Sequence, residues 1–238
     1  MNSTLLAWTG PCVLVVAPVA VLRKVGASWR WFLFGILSWC LAVVAKTILT
    51  ASFAATLMAN ASPWQQGLVY GALSALTELG AAALLLRRVE LSLPNALAFG
   101  AGIGAFEVLF TVGLGLLEGL DAQPAPVLAE RLAFIGGFFV WERVIAFCGH
   151  VASRLLIYLA VARRQWAPAV LTFVTFALID GSASFGIASG WDWNSDQVMT
   201  RFLVFAGAVC LVEMAASCYF ALRMPVWRGA VSPTARIP

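Results

Sequence analysis

Charge is what this sequence most lacks. Asp, Glu, Lys and Arg make up 11% of its 238 residues, against about 25% in soluble domains. Histidine occurs once, at position 150. With 62% hydrophobic residues and a mean hydropathy of +0.92, the chain has too little polar surface to enclose its apolar mass in water. It reads as an integral membrane protein with the bilayer as its first partner. No polar stretch is long enough for a soluble domain, so residues 1–238 read as one polytopic membrane domain. The net charge of +4 does not point to nucleic acid, because the basic residues sit in short loops. A single histidine excludes the paired-histidine haem sites of membrane cytochromes. A rhodopsin-like retinal site needs a lysine in the last span, and the only lysine inside a span is Lys46, in the second. HExxH and GxSxG are absent, which removes the zincin and rhomboid-like serine-protease readings. CxxC is absent too. Cys12, Cys40, Cys148, Cys210 and Cys218 all fall in apolar runs and read as small buried hydrophobes.

Long apolar runs are what the sequence has. A spanning helix needs about 20 mostly apolar residues, and seven stretches qualify: 4–22, 31–57, 67–86, 95–117, 133–161, 167–188 and 198–222. The start "MNSTLLAWTGPCVLVVAPVAVLRK" has its charges after the apolar run. That order predicts an uncleaved first span with the N-terminus outside rather than a cleaved signal peptide. No internal repeat or low-complexity segment stands out.

The loops set the orientation. Arg23, Lys24 and Arg30 lie in the first loop, Arg87 and Arg88 in the third, Arg163 and Arg164 in the fifth, and Arg223, Arg228 and Arg236 in the tail. The second loop, "ANASPWQQ", has no charge. The fourth holds Glu118, Asp121, Glu130 and Arg131, and the sixth, "SGWDWNSDQ", holds Asp192 and Asp196. Basic loops mark the cytoplasmic side, so the N-terminus is expected outside and the C-terminus inside. Trp64, Trp191 and Trp193 fall at the outer interface, and Trp31, Trp166 and Trp227 at the inner one.

A few ionisable residues remain inside the spans: Lys46, Glu78, Glu107, Glu142, Arg143, His150, Arg154, Asp180 and Glu213. Each costs at least about 2.5–3.5 kcal/mol at mid-membrane on insertion scales, so each is expected to face a partner or a wet cavity. Glu78 stands 9 residues before Arg87, Glu107 12 after Asn95, His150 13 before Arg163 and Asp180 13 after Ala167. At about 1.5 Å per residue these depths are about 13–20 Å, near the middle of an apolar core about 30 Å thick. Three carboxylates and the only histidine are therefore expected at one level. Three chemistries suit them. One is a metal site whose bound water attacks a peptide bond. The second is a proton or cation path. The third is structural, with the carboxylates neutralised by Lys46, Arg143 and Arg154. Arg143, His150 and Arg154 are spaced by 7 and 4 and share a helix face. Arg143 and Arg154 either hold substrate beside the histidine, or Arg143 pairs with a carboxylate while Arg154 snorkels inward. The "GAGIG" of "FGAGIGAFEVLF" (99–110) lies inside a span. It reads as small residues for close helix contact, not as a nucleotide loop.

Four motifs, in order, give the chain a resemblance to a known family. "TELGAAALLLRR" resembles a Glu-Glu helix followed by basic residues, and "AFGAGIGAFE" a glycine-rich helix ending in Glu. "ERVIAFCGHVASRLLIY" is similar to a Glu-Arg helix with a downstream His, and "FALIDG" to a last motif ending in Asp. Together they resemble the YhfC-type intramembrane metalloproteases of the PrsW and CPBP superfamily, over residues 70–185. The resemblance implies a CPBP-like bundle of seven transmembrane helices in a bacterial inner membrane. Glu78 would be the base that activates water. Glu107, His150 and Asp180 would hold a zinc-like divalent ion, and Arg143 and Arg154 would orient substrate. The chain also departs from the pattern. Thr77 precedes Glu78 where the family pairs two glutamates, and Ala81 stands near the position of a following arginine. Ile103 and Phe176 stand where histidines are usual. The superfamily also includes the non-proteolytic scaffold subunit of gamma-secretase. The implied functions are therefore three. The first is a metal-dependent peptidase-like protein, degenerate in its ligands, that takes a membrane-embedded or prenyl-peptide-like partner. The second is a non-catalytic scaffold packed on another membrane protein. The third is a small-solute or proton-coupled carrier.

Overall fold

Helix starts in this chain are set by short polar signals ahead of the apolar runs. Ser62 Oγ accepts from the Gln65 backbone N–H at 3.4 Å, and the Gln65 side chain accepts from the Ser62 N–H at 2.8 Å. With Pro63 in the first turn, this capping box begins the helix four residues ahead of the expected residue 67. Ser28 caps the second helix, and its N–H donates to Asn95 Oδ1 at 2.9 Å, tying the first loop to the start of a later helix.

The computed structural model describes the backbone of residues 3–87, 92–122, 125–193 and 195–223. Side chains are described over most of these, apart from 3–12, 14, 53–55, 57, 112–139 and 163. The side chains of Cys12, Arg88, Glu118, Asp121, Glu130, Arg131, Arg163, Trp227, Arg228 and Arg236 thus lie outside the described residues. Among the described residues the fold is all-helical. The elements are α1 (Ser3–Lys24), α2 (Trp29–Leu49), α3 (Ala55–Met58), α4 (Pro63–Leu86), α5 (Leu93–Ala122), α6 (Ala125–Arg163), α7 (Trp166–Ala188) and α8 (Asp196–Leu222). A π-helical segment, Thr50–Ala54, joins α2 to α3. Among the described residues, six helical stretches are long and apolar enough to cross a membrane: Trp29–Ser52, Pro63–Leu86, Leu93–Thr111, Val140–Ala162, Trp166–Ala188 and Asp196–Leu222. The protein is thus an α-helical membrane protein by length and composition of its helices. Seven spans were expected; α1 covers the residues of the first, 4–22, but is not among these six. α6 is 39 residues long and starts at Ala125, ahead of the expected 133.

Small residues bring the helices together. α5 lies between α2 and α6. A Cβ on Gly102 would fall on the Phe32 carbonyl, and one on Gly100 would come within 2.7 Å of Val151 Cα. The glycines of "GAGIG" therefore seat backbone against backbone on two sides of α5. α4 packs on α7 the same way, with Gly71 against the Ala177 carbonyl and Gly181. The apolar core between these layers includes Leu79, Leu86, Phe99, Ile103, Leu159 and Phe176. Leu68, Leu84, Val204, Leu211 and Leu222 point outward and are exposed, as suits side chains that meet lipid tails.

Candidate functional site

Glu78, Glu107, Arg143, His150 and Asp180 line a single cavity of about 240 Å³ enclosed by α2, α4, α5, α6, α7 and α8. Lys46, Glu142, Phe176 and Glu213 share its wall. The depths read from the sequence are thus matched by convergence in space. Arg154 lies behind the wall, 1% exposed, with its guanidinium 5.0 Å from the Phe176 ring centroid.

Two networks organise these charges. In the first, Lys46 Nζ donates to Ser74 Oγ at 3.0 Å and to Glu78 Oε1 at 3.2 Å. Arg154 Nη2 donates to Glu78 Oε2 at 2.9 Å, and its Nη1 to Ser153 Oγ at 2.8 Å. Ser74 Oγ also donates to the Asp180 carboxylate. The Glu78 carboxylate thus bridges a cation from α2 and a cation from α6. In the second network, Arg143 Nη1 donates to Glu107 Oε1 and to Thr111 Oγ1, each at 3.2 Å, and the guanidinium is paired with Glu142. His150 Nε2 meets the other oxygen of Glu107. Glu213 is held by the hydroxyls of Thr172 and Thr175 on α7. Asp180 and Glu213 make no ion pair among the described residues. His150 Nδ1 and Arg154 Nε are buried without a hydrogen-bond partner among the described residues.

Pairing of this kind suits the cost of burial. Isolated charges in an apolar medium are prohibitive, and each carboxylate that faces a cation offsets much of that cost. Arg154 does not snorkel, because Glu78 lies within reach and keeps it inside. Ser74, Thr111, Ser153, Thr172 and Thr175 complete the networks, and the sequence reading missed them. A hydroxyl one turn from a buried carboxylate, as Ser74 is from Glu78, was the available signal.

As a metal centre the donor set does not fit in this arrangement. Glu107 and His150 are adjacent. No group of three or more His, Cys, Asp or Glu side chains among the described residues is placed to hold a metal ion. A catalytic zinc takes three protein ligands. Glu78, the expected base, is occupied by Lys46 and Arg154, and Asp180 belongs to the Glu78 side of the cavity. Phe176 lines the cavity, its ring centroid 5.9 Å from that of His150. Ile103 is wholly buried in the apolar core.

The cavity has a polar approach. A groove of about 550 Å³ beside the π-helical segment is lined by Thr47, Thr50, Tyr70 and Ser184, and it shares Lys46, Ser74 and Asp180 with the first network. No family model, no curated protein and no solved structure matches the chain.

Proposed function

We propose that this chain is an intramembrane-protease-like protein in a non-hydrolytic form. Its charged cavity holds a polar group of a membrane-embedded peptide partner without cleaving it. The observation that carries the reading is the closed pairing of Glu78 with Lys46 and Arg154 and of Glu107 with Arg143 and His150. A carboxylate bridging two cations is a poor base and a poor metal ligand, but a good fixed element of a binding wall. A peptide segment in the bilayer must find partners for its exposed N–H and C=O groups. Lys46 and Arg143 offer donors, and Asp180 and Glu142 offer acceptors. A volume of about 240 Å³ takes a residue or two rather than a long strand. The family assignment, the bacterial inner membrane and the N-out, C-in orientation belong to the same proposal. They rest on the four motifs and the alternation of basic loops.

The test uses the full chain in liposomes with a model single-span peptide carrying a photo-crosslinker beside a mid-span polar residue. The expected result is crosslinking to the cavity wall that falls with Glu142→Gln or Asp180→Asn, with the peptide left intact. Peptide cleavage, with stoichiometric metal that is lost in Glu107→Gln and His150→Ala, would establish an active metallopeptidase instead.

A second reading has its own observation. The hydroxyl-lined groove that shares Lys46 and Asp180 with the cavity favours a small-solute or proton-coupled carrier. The π-helical segment beside it is a local break of the kind found at functional sites. Solute-dependent proton flux in proteoliposomes, abolished by Asp180→Asn, would support it over peptide binding.

A further inference from the structure

A second, chemically opposite depression lies on the outside of the bundle, where α4, α7 and α8 meet. It measures about 680 Å³, within the roughly 300–1,000 Å³ of small-molecule sites. Leu68, Ala72, Phe173, Val174, Leu178 and Phe205 are among its walls, and among the described residues its only ionisable lining residue is Arg201. Its floor is tight, because Gly67 and Gly181 bring α4 and α7 together. A Cβ on Gly67 would lie 2.8 Å from the Gly181 carbonyl oxygen.

Arg201 is exposed, and among the described residues it makes no ion pair or hydrogen bond. It sits five residues into α8, about 8 Å along the helix. A row of aromatic rings crosses the same end. Trp64 lies 4.4 Å from Phe185, Phe185 5.6 Å from Trp191, Trp191 5.7 Å from Trp193, and Trp193 5.3 Å from Phe202. Tryptophans in such rows sit at headgroup level. Asp192 and Asp196 lie at the same end but do not line the trough, so Arg201 is the charge that meets a head seated over it, which complements an amphiphile with an anionic head and a hydrocarbon tail.

We propose that this groove is a binding site for an anionic phospholipid, with an acyl chain between α4, α7 and α8 and its phosphate on Arg201. Phe202 lines both this groove and the charged cavity, so the seated chain is one side chain away from the cavity. The site is independent of the function assigned to the cavity.

Trp64 and Trp191 line the groove and report on it. The full chain is reconstituted in phosphatidylcholine bilayers, and quenching of tryptophan fluorescence is titrated with phosphatidylglycerol or phosphatidylcholine carrying brominated chains. The groove signal is the part lost in the Trp64→Phe/Trp191→Phe double variant. The expected result is about a fivefold preference for the anionic lipid in that signal, the effect of one basic residue near a headgroup. Arg201→Gln should abolish the preference, and Ala72→Phe should lower the signal for both lipids. Arg201 is exposed, so Arg201→Gln leaves the packing intact. Equal quenching by the two lipids in the unaltered protein would overturn the proposal. So would a preference that survives Arg201→Gln, because it would belong to another basic site.

Discussion

Arg154 and Glu78 form the most enclosed ion pair among the described residues, 2.9 Å apart with side chains 1% and 4% exposed. The pair pins α6 to α4. Removing Glu78 strands the Arg154 guanidinium in an apolar surround, which costs about 3–5 kcal/mol, whereas removing Arg154 leaves Glu78 still paired with Lys46. Glu78→Leu is therefore expected to lower stability by that amount in a mixed-micelle denaturation series, and Arg154→Met by less. Glu78→Leu combined with Arg154→Met should recover part of the loss, because the buried guanidinium is gone and Lys46 keeps Ser74 and its partial exposure. A double variant as unstable as the sum of the two singles would show that the pair is not coupled.

The glycines divide into two classes that stability measurements should separate. Gly71 has no room for a Cβ, with Gly181 Cα at 2.8 Å, whereas no atom of the described residues lies within 4 Å of a Cβ on Gly80. Gly71→Ala is expected to destabilise by about 1–3 kcal/mol through overpacking. Gly80→Ala should be neutral, or stabilising by up to about 1 kcal/mol from helix propensity. The same denaturation series decides both. Equal effects at the two positions would mean that α4 does not pack on α7 through this face.

Thr172 and Thr175 give Glu213 its hydrogen bonds, with no cation on that carboxylate among the described residues. A glutamine offers the same acceptor oxygen. Glu213→Gln is therefore expected to change stability by less than about 1 kcal/mol. Thr172→Val with Thr175→Val leaves the buried oxygen without donors and should cost about 1–3 kcal/mol. A cost for Glu213→Gln larger than that of the double valine variant would show that the negative charge itself is needed.

Helix existence was legible because hydropathy is a sum over twenty residues, and local exceptions barely move it. The helix start at Pro63 lies ahead of the expected apolar stretch because a capping box extends the helix, and α6 also begins ahead of its stretch, at Ala125. The π-helical segment at Thr50–Ala54 left no mark in "TASFA", which reads as ordinary helix. At the site, rise per residue fixed the depth of Glu78, Glu107, His150 and Asp180, and the cost of facing lipid favoured a shared interior cavity for them. Rotation about each helix axis was not fixed. A turn of α6 decides whether Arg154 meets Glu78 or reaches for the interface, and that turn depends on backbone contacts such as Gly100 on Val151.

Lys46, with Ser74 and Asp180, is one of the network members that line the polar groove. Its side chain is 32% exposed although its Nζ binds Ser74 and Glu78. Ser38, two turns earlier on α2, is 1% exposed. In a background without native cysteines, Lys46→Cys is expected to react with a small water-soluble thiol reagent in proteoliposomes, and Ser38→Cys is not. The second arm adds Tyr70→Trp, which enlarges a wall of the groove and should slow labelling at position 46. If Lys46→Cys stays unreactive while a membrane-permeant reagent labels it, the groove is filled by lipid rather than water. Both the carrier reading and any water-dependent chemistry at Asp180 would then lose their route.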